Sequence, residues 1–499
     1  MKEKKALPFK NPVFVVTFIM TLAIVIWAMA ATASFGSAAS AAMGFIQKYF
    51  GWLYVLACTG FVVFCFFMMF WKYRKIPLGP DGSKPEYTGL QWFSMLFSAG
   101  MGIGIIFWGI AEPMTFAASP IDGMVPFSHE AKRWALHKAL LHWGLNPWAS
   151  FAVIALGLGY MMFRQGKPAS ISSIFIPLVG QERVDGVFGK VVDIAAAFAT
   201  ATGITTSLGM GTMQINSGLN FIFGVPKNFT VQVIIITVLA FLYTWTAVIG
   251  IDKGISVVCD INVKVAVGLM VALFICGPTM DMLNNFVEAT GAYIYEYVGS
   301  TTAVGAFSDD ASWYQGWTVF YWAWWIAWSP FTGSFIARVS YGRKIGEFLL
   351  GVMVLPTAFT IVWFAIMGTI GVNTPPEVAV EAVKDSSLAG FMALGQIPLG
   401  KVWSIVVFVL VTTFFVTSAN SGTYVLGMLT EKGDLNPSGV GKAIWGIIMG
   451  GMAIGVMATG SNAMSMCQTM SIVGAFPMLF VCIAAMPAVI VALKKNEGF

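Results

Sequence analysis

The apolar residues of this chain run in blocks. Twelve blocks come near or exceed the roughly 20 residues that a helix needs to cross a bilayer core: 13–35, 51–71, 90–112, 134–163, 188–222, 230–250, 256–284, 313–337, 347–371, 402–429, 441–459 and 468–493. This pattern predicts an all-α polytopic membrane protein with 12 transmembrane helices. Residues 285–312 differ. There, apolar side chains recur at helical spacing among Glu288, Glu296, Asp309 and Asp310 with no Lys or Arg, which predicts an amphipathic helix on one membrane surface.

Charge tests the span count. An even number of spans places both termini on one side, and successive loops then alternate between faces. Lys2, Lys4, Lys5, Lys10, the basic residues of the loops at 72–84, 164–190, 253, 338–344 and 432–442, and Lys494 and Lys495 put twenty Lys and Arg on one face. The other face carries seven: Lys48, Lys132, Arg133, Lys138, Lys227, Lys384 and Lys401. A miscounted span would scramble this segregation, and the positive-inside rule predicts that both termini are cytoplasmic. The first apolar run follows a basic start without a prompt small-residue cleavage site, so it is expected to be a retained span and not a signal peptide.

Composition agrees and narrows the function. Of 499 residues 58% are hydrophobic and only 10% charged, against about 25% charged in soluble domains. That excludes a cytosolic enzyme, a nucleic-acid binder and a disordered scaffold. The six cysteines lie in apolar stretches without paired spacing and read as core residues. His129, His137 and His142 lack metal-ligand spacing, and no acid/base constellation suggests catalysis. Asp260 and Lys264, i and i+4 on the seventh span, are expected to neutralise each other.

Two spans carry helix breakers. The third reads Ser98-Ala99-Gly100-Met101-Gly102-Ile103-Gly104. Glycines cost about 1 kcal/mol each in a helix interior, and loosened backbone at that depth is tolerated only where it lines a protein cavity. A strip of small residues for close helix packing explains the pattern equally well. In the eighth span Pro330 and Gly333 follow Trp328, which predicts a second break. Broken helices at corresponding positions of two repeats point to a transporter site at the membrane midplane.

The chain is 14% aromatic, with 18 Trp. Trp27, Trp52, Trp71 and Trp403 fit interfacial belts. Trp324, Trp325 and Trp328 do not, because they sit mid-span, and Trp143, Trp148 and Phe151 form a second group on the fourth span. Indole faces around a cavity suit a quaternary ammonium, which has no N–H to donate but gains on the order of 2 kcal/mol per ring when desolvated. The only carboxylate near the cluster, Glu112, falls at the far end of the third span. Its remoteness favours a zwitterion over a bare cation. Adjacent hydroxyls at Thr417 and Ser418 suit a small hard cation, or bond back to their own helix.

Taken together these residues resemble the betaine/choline/carnitine transporters over essentially the whole chain. The resemblance rests on Phe320-Tyr321-Trp322-Ala323-Trp324-Trp325 with Ser329-Pro330-Phe331, Ala99-Gly100-Met101-Gly102-Ile103-Gly104, His142-Trp143-Gly144, Ile336-Ala337-Arg338-Val339-Ser340 and Gly342-Arg343. It implies a leucine-transporter-type fold. The tail and two leading helices (1–89) would precede a first five-helix repeat (90–284), the surface helix (285–312), a second inverted five-helix repeat (313–493) and a short tail (494–499), assembled as a homotrimer. It implies a substrate box of Trp143, Trp148, Trp324, Trp325 and Trp328 with Phe335 nearby and the Gly100, Gly102 and Gly104 strip. Phe151 stands where members commonly have Tyr. The implied sodium site is Ser98, Met101, Thr417 and Ser418.

The intact glycine strip, and Ser256 where sodium-independent exchangers carry Arg, favour sodium symport over exchange. Asn420 in place of a common Asp, and Ile204 in place of a hydroxyl four residues after Thr200, weigh against a second sodium. The short charged tails are expected to give no strong osmotic gating. The function expected is import of glycine betaine or a close relative across a bacterial cytoplasmic membrane, with lipid and substrate as partners, no nucleic acid, no cofactor, and Na+ as the coupling ion. Sodium-independent exchange, choline uptake and, from another class, an ion channel are the alternatives.

Overall fold

The computed structural model describes residues 8–100, 102–250 and 252–498. Among them ten helices are long and apolar enough to cross a membrane, and no strand forms. In chain order the main helices are α1 (Pro12–Ala30), α2 (Thr32–Phe70), α3 (Gly89–Gly100), α4 (Ile103–Ala118), α5 (His129–Trp143), α6 (Leu145–Gly159), α7 (Val187–Phe223) and α8 (Phe229–Ile249). They continue as α9 (Asp252–Cys276), α10 (Thr279–Thr301), α11 (Phe320–Arg338), α12 (Ile345–Val372), α13 (Gly400–Thr430), α14 (Gly439–Met457) and α15 (Ala463–Asn496). The third predicted span is divided between α3 and α4. The eighth is α11, rich in Trp, Ser, Pro and Gly and not among those ten helices.

Four boundaries depart from the sequence pattern, each for a local reason. The expected loop before residue 51 is helical, so α2 runs 39 residues. Its first half is rich in Ala, Ser and Gly but has no proline to stop it. At 1.5 Å per residue such a helix is roughly 58 Å long, well beyond a hydrocarbon core of about 30 Å.

The fourth span, expected as one helix, breaks at Gly144, whose backbone (φ −89°, ψ −124°) is not helical. Pro147 lacks the N–H that would reach back to Trp143. The Leu145 N–H freed by the break donates to the Tyr293 hydroxyl at 2.9 Å. The seventh span stops early, at Gly277-Pro278, and the surface helix therefore starts at Thr279.

The predicted break in the eighth span does not occur: α11 continues through Pro330 and Gly333. Proline removes the N–H that would pair with the Ile326 carbonyl. The Ser329 hydroxyl donates to that carbonyl at 2.8 Å instead, so the helix keeps its hydrogen bonds accounted for.

Packing follows polarity. Almost every side chain of α11 is buried, against α6, α7 and α15. The outward faces of α2, α8 and α9 expose Leu56, Val63, Phe70, Phe241 and Ile275, as lipid requires. The belt residues Trp27 and Trp52 are also exposed. The surface helix α10 buries Met282, Ala289 and Tyr293 against α5 and α12 and exposes Val287, Ile294 and Val298. Among the described residues no disulfide joins any of the six cysteines.

Among the described residues, loops that carry basic side chains meet one another and the segments near Asn11 and Glu497. The Leu78 N–H donates to the Arg343 carbonyl at 2.8 Å and Gly342 N–H to the Leu78 carbonyl at 2.8 Å. Asn11 Nδ2 donates to the Thr430 carbonyl. Arg164 donates to Glu497 at 2.5 and 2.6 Å and to Asp81 at 2.9 Å. Burial raises the Glu497 carboxyl, but the Arg164 guanidinium and the Tyr160 hydroxyl outweigh it and hold its pKa below the usual carboxylate range.

Two stability tests follow from this packing. Ser329→Ala leaves the Ile326 carbonyl unpaired in the core and is expected to cost about 1–3 kcal/mol, read as earlier unfolding in detergent. Because the Glu497 pKa is depressed on folding, its contribution is present above the ordinary carboxylate pKa and is lost as pH falls through the lower folded value. Glu497→Gln should therefore destabilise by at most about 1 kcal/mol at neutral pH and by nothing measurable below that value, in melting curves recorded across pH.

Candidate functional site

The break in the third span organises the centre of the molecule. Gly102, between α3 and α4, has φ −115° and ψ −145°, outside the helical region. A β-carbon there would lie 3.1 Å from Ser418 Oγ and 3.9 Å from Trp328 Cη2. At Gly104 it would lie 2.8 Å from Trp324 Cη2 and 2.9 Å from Trp143 Cη2, distances real β-carbons do not adopt. Two glycines thus bring one segment of backbone against three indoles and a hydroxyl, from α5, α11 and α13.

The rings form a compact cluster. Trp324 and Trp325 stack with centroids 5.0 Å apart and planes 12° from parallel. Trp143 meets both edge-on, at 4.9 Å from Trp325 and 6.1 Å from Trp324. Phe151 lies edge-on to Trp325 at 6.2 Å, and Trp148 joins only through Phe151, at 5.8 Å. Trp328 is turned away from the stack. Its indole N–H donates to the Gly203 carbonyl at 3.0 Å, and its ring meets Phe331 at 5.4 Å. Phe335 is not part of the ring cluster; it lines the cavities described next.

Two cavities lie beyond Trp328. One, of about 120 Å³, is lined by Ser94, Met95, Cys259, Asp260, Phe331, Phe335, Thr417, Ser418 and Ser421. A second, of about 420 Å³, shares Met95, Phe335 and Ser421 with it and reaches Tyr87, Arg338 and Asn436, on the face where the basic loops gather. Thr417 Oγ1 donates to the Thr413 carbonyl at 3.1 Å, leaving its lone pairs to accept. Of the residues assigned to the ion site, Thr417 and Ser418 line this cavity. Met101 lies outside the described residues, as do the side chains of Ser98 and Ser256 and the surroundings of Gly100.

Two expectations about charge need correction. No ion pair joins Asp260 to Lys264 among the described residues; Asp260 lines the smaller cavity instead, where its charge meets hydroxyls and solvent. Glu112 is not remote from the aromatic cluster either. It lies eight residues past Gly104, about two helical turns, on a helix aimed back along the rings, and it is fully buried. Its Oε2 accepts from Trp143 Nε1 at 2.7 Å and from the Tyr321 hydroxyl at 2.5 Å. Its Oε1 is 2.7 Å from His142 Nδ1. A carboxylate inside an apolar span is itself a signal of function, and that signal identifies the site residue that spacing around the tryptophans missed.

Asn420 is occupied away from the cavity's hydroxyl pair: its Nδ2 donates to the Tyr243 carbonyl at 3.2 Å and to Thr246 Oγ1 at 3.0 Å. Ile204 packs where a β-carbon on Gly422 would come within 2.4 Å of its Cδ1. Thr200 bonds back to the Ala196 carbonyl at 2.8 Å.

Comparison with known proteins agrees with this architecture. The model of the betaine/carnitine/choline family of transporters matches residues 12–498. The chain is 40% identical over 489 residues to the glycine betaine transporter OpuD of Bacillus subtilis, covering 98% of this chain and 95% of that one. It is 37% identical over 492 residues to an ectoine/hydroxyectoine transporter of Virgibacillus pantothenticus, covering 98% and 97%. With the high-affinity choline transport protein of Escherichia coli K12 it shares 35% identity over 462 residues, 91% of this chain and 68% of that one. With a family match spanning nearly its whole length, this integral membrane protein belongs to the betaine/carnitine/choline transporter family.

Proposed function

We propose that this protein imports glycine betaine or a close methylated relative by sodium symport with alternating access. The observation that carries the proposal is the convergence at the backbone break, where the rings of Trp143, Trp324 and Trp328 and the Ser418 hydroxyl crowd Gly102 and Gly104, two glycines two residues apart. A quaternary ammonium held by Trp143, Trp324, Trp325 and Trp328 would then lie beside a cation held by Thr417, Ser418 and backbone carbonyls near Ser98 and Met101. Occupancy of one would shape the other, as coupling requires. Relatives named for glycine betaine support the substrate class. The hydrogen-bonding commitments of Asn420, Thr200 and Ile204's apolar packing support a single coupling sodium.

The rings at 5.0 Å leave no space for a trimethylammonium between them, so substrate binding in this reading requires them to part. The cavities run from Thr417 and Ser418 towards the face that holds the chain ends, while the buried hydrogen bonds of Glu112 close the other side. That asymmetry supports a state open to the cytoplasm, with both termini cytoplasmic; membership of the family supports two inverted five-helix repeats and assembly as a homotrimer.

Choline is the second reading, and a specific observation favours it. The remoteness of any carboxylate argued for a zwitterion, and Glu112 removes that argument by bonding to Trp143 directly. The choline transporter among the relatives supports the same alternative. Sodium-independent exchange remains distinguishable by experiment.

Uptake of labelled glycine betaine into proteoliposomes should rise with an inward sodium gradient and should not require unlabelled substrate inside. Uptake indifferent to sodium but dependent on internal substrate would replace symport with exchange, and stronger competition by choline than by betaine would transfer the proposal to choline. Gly104→Ala, whose added methyl would displace the Trp324 and Trp143 rings from the positions where they face the substrate, should raise the half-saturating betaine concentration at least about tenfold, the scale of one lost ring contact, while the protein still purifies as a folded species.

A further inference from the structure

Glu112 has a role that the substrate and ion sites leave unassigned. It is a fully buried carboxylate in a membrane-spanning helix, and three polar side chains from two other helices converge on it. Trp143 and His142 stand on α5, Tyr321 on α11. The indole N–H is only a donor, so the 2.7 Å bond to Oε2 fixes the edge of the Trp143 ring and hence which face it turns to its neighbours. The other wall of the cluster is held indirectly. Tyr321, bonded to Oε2, stacks with Trp325 at 5.9 Å. The Trp325 N–H donates at 2.9 Å to the carbonyl of His142, the residue whose ring meets Oε1. The second ring nitrogen of His142 is 3.1 Å from Thr318 Oγ1, so the imidazole is itself held at both ends.

From this geometry we infer that Glu112 is the positioning residue of the aromatic box: through Trp143, Tyr321 and His142 it sets the mutual orientation of the Trp143 and Trp325 rings on which recognition of a quaternary ammonium depends. The inference rests on the substrate class proposed above. It is a statement about geometry and not about charge. Glutamine at this position presents a carbonyl oxygen with two lone pairs for Trp143 and Tyr321 and an NH₂ group for His142, whose Nδ1 accepts in the tautomer that places the proton on Nε2, towards Thr318 Oγ1; it preserves the arrangement while removing the charge. Aspartate preserves the charge but withdraws the oxygens by one methylene.

The test compares Glu112→Gln with Glu112→Asp in the full-length protein purified in detergent, by calorimetric titration with glycine betaine and with choline. Gln should bind the better ligand within about threefold of the native protein, and Asp should lose about tenfold or more, the scale of one charge-assisted hydrogen bond. Maximal transport rate should change less than apparent affinity. The reverse order, Asp retaining affinity and Gln losing it, would show that Glu112 acts by its charge and overturn the inference. Equal affinity in all three proteins would overturn it as well.

Near-ultraviolet circular dichroism of the indole cluster, recorded without any substrate, separates this inference from the substrate assignment. The Asp variant should lose part of the native signal that the Gln variant keeps, whether or not betaine proves to be the ligand. Identical spectra for the two variants would mean that Glu112 does not orient the rings.

Discussion

The centre of this protein depends on two missing β-carbons. At Gly102 and Gly104 the absence of a side chain lets the broken third span touch Ser418, Trp328, Trp324 and Trp143 at once. Any other residue would push α4 away from α11 and separate the aromatic cluster from the hydroxyl-lined cavity. The backbone break and the ring cluster are therefore one feature. The helix must interrupt itself for the glycines to be presented, and the rings must be large for the gap to be filled. In a lipid environment such an interruption persists only because it is enclosed by protein, which α5, α11 and α13 provide.

The same constraint accounts for how polar groups are distributed through the interior. Two backbone groups released from helices find nearby partners: the Leu145 N–H takes the Tyr293 hydroxyl, and the Ile326 carbonyl takes Ser329. Glu112, a fully buried carboxyl group, accepts from Trp143 and Tyr321 and meets the ring of His142. Asp260 instead faces a cavity. Apolar side chains supply the outer faces, where lipid offers nothing to bond.

Much of the architecture was legible in the chain. Blocks of apolar residues set the helical class, and the segregation of Lys and Arg matches the gathering of the basic loops on one face. The Gly-x-Gly-x-Gly strip located a true break. Other local signals misled. Pro330 looked like a stop, but the hydroxyl beside it repairs the helix. Gly144, which does interrupt the fourth span, was hidden within an apolar block although Pro147 follows at the spacing that removes its neighbour's hydrogen bond. The loop before residue 51 dissolved into a helix because its residues are small and none is a proline.

Sequence alone determined that this is a helical membrane protein, which stretches are apolar enough to cross, and which aromatic and hydroxyl residues are unusual for their depth. These properties depend on composition and spacing within single segments, and a bilayer reads them segment by segment. Tertiary structure decided which of those residues meet. It put Trp148 behind Phe151, turned Trp328 onto Gly203 and Phe331, set Phe335 and Asp260 at a cavity, and brought Glu112 onto Trp143 across helices. No local pattern carries that information. The meeting of side chains from α4, α5 and α11 depends on how closely the helices approach, and two glycines set that distance by what they lack.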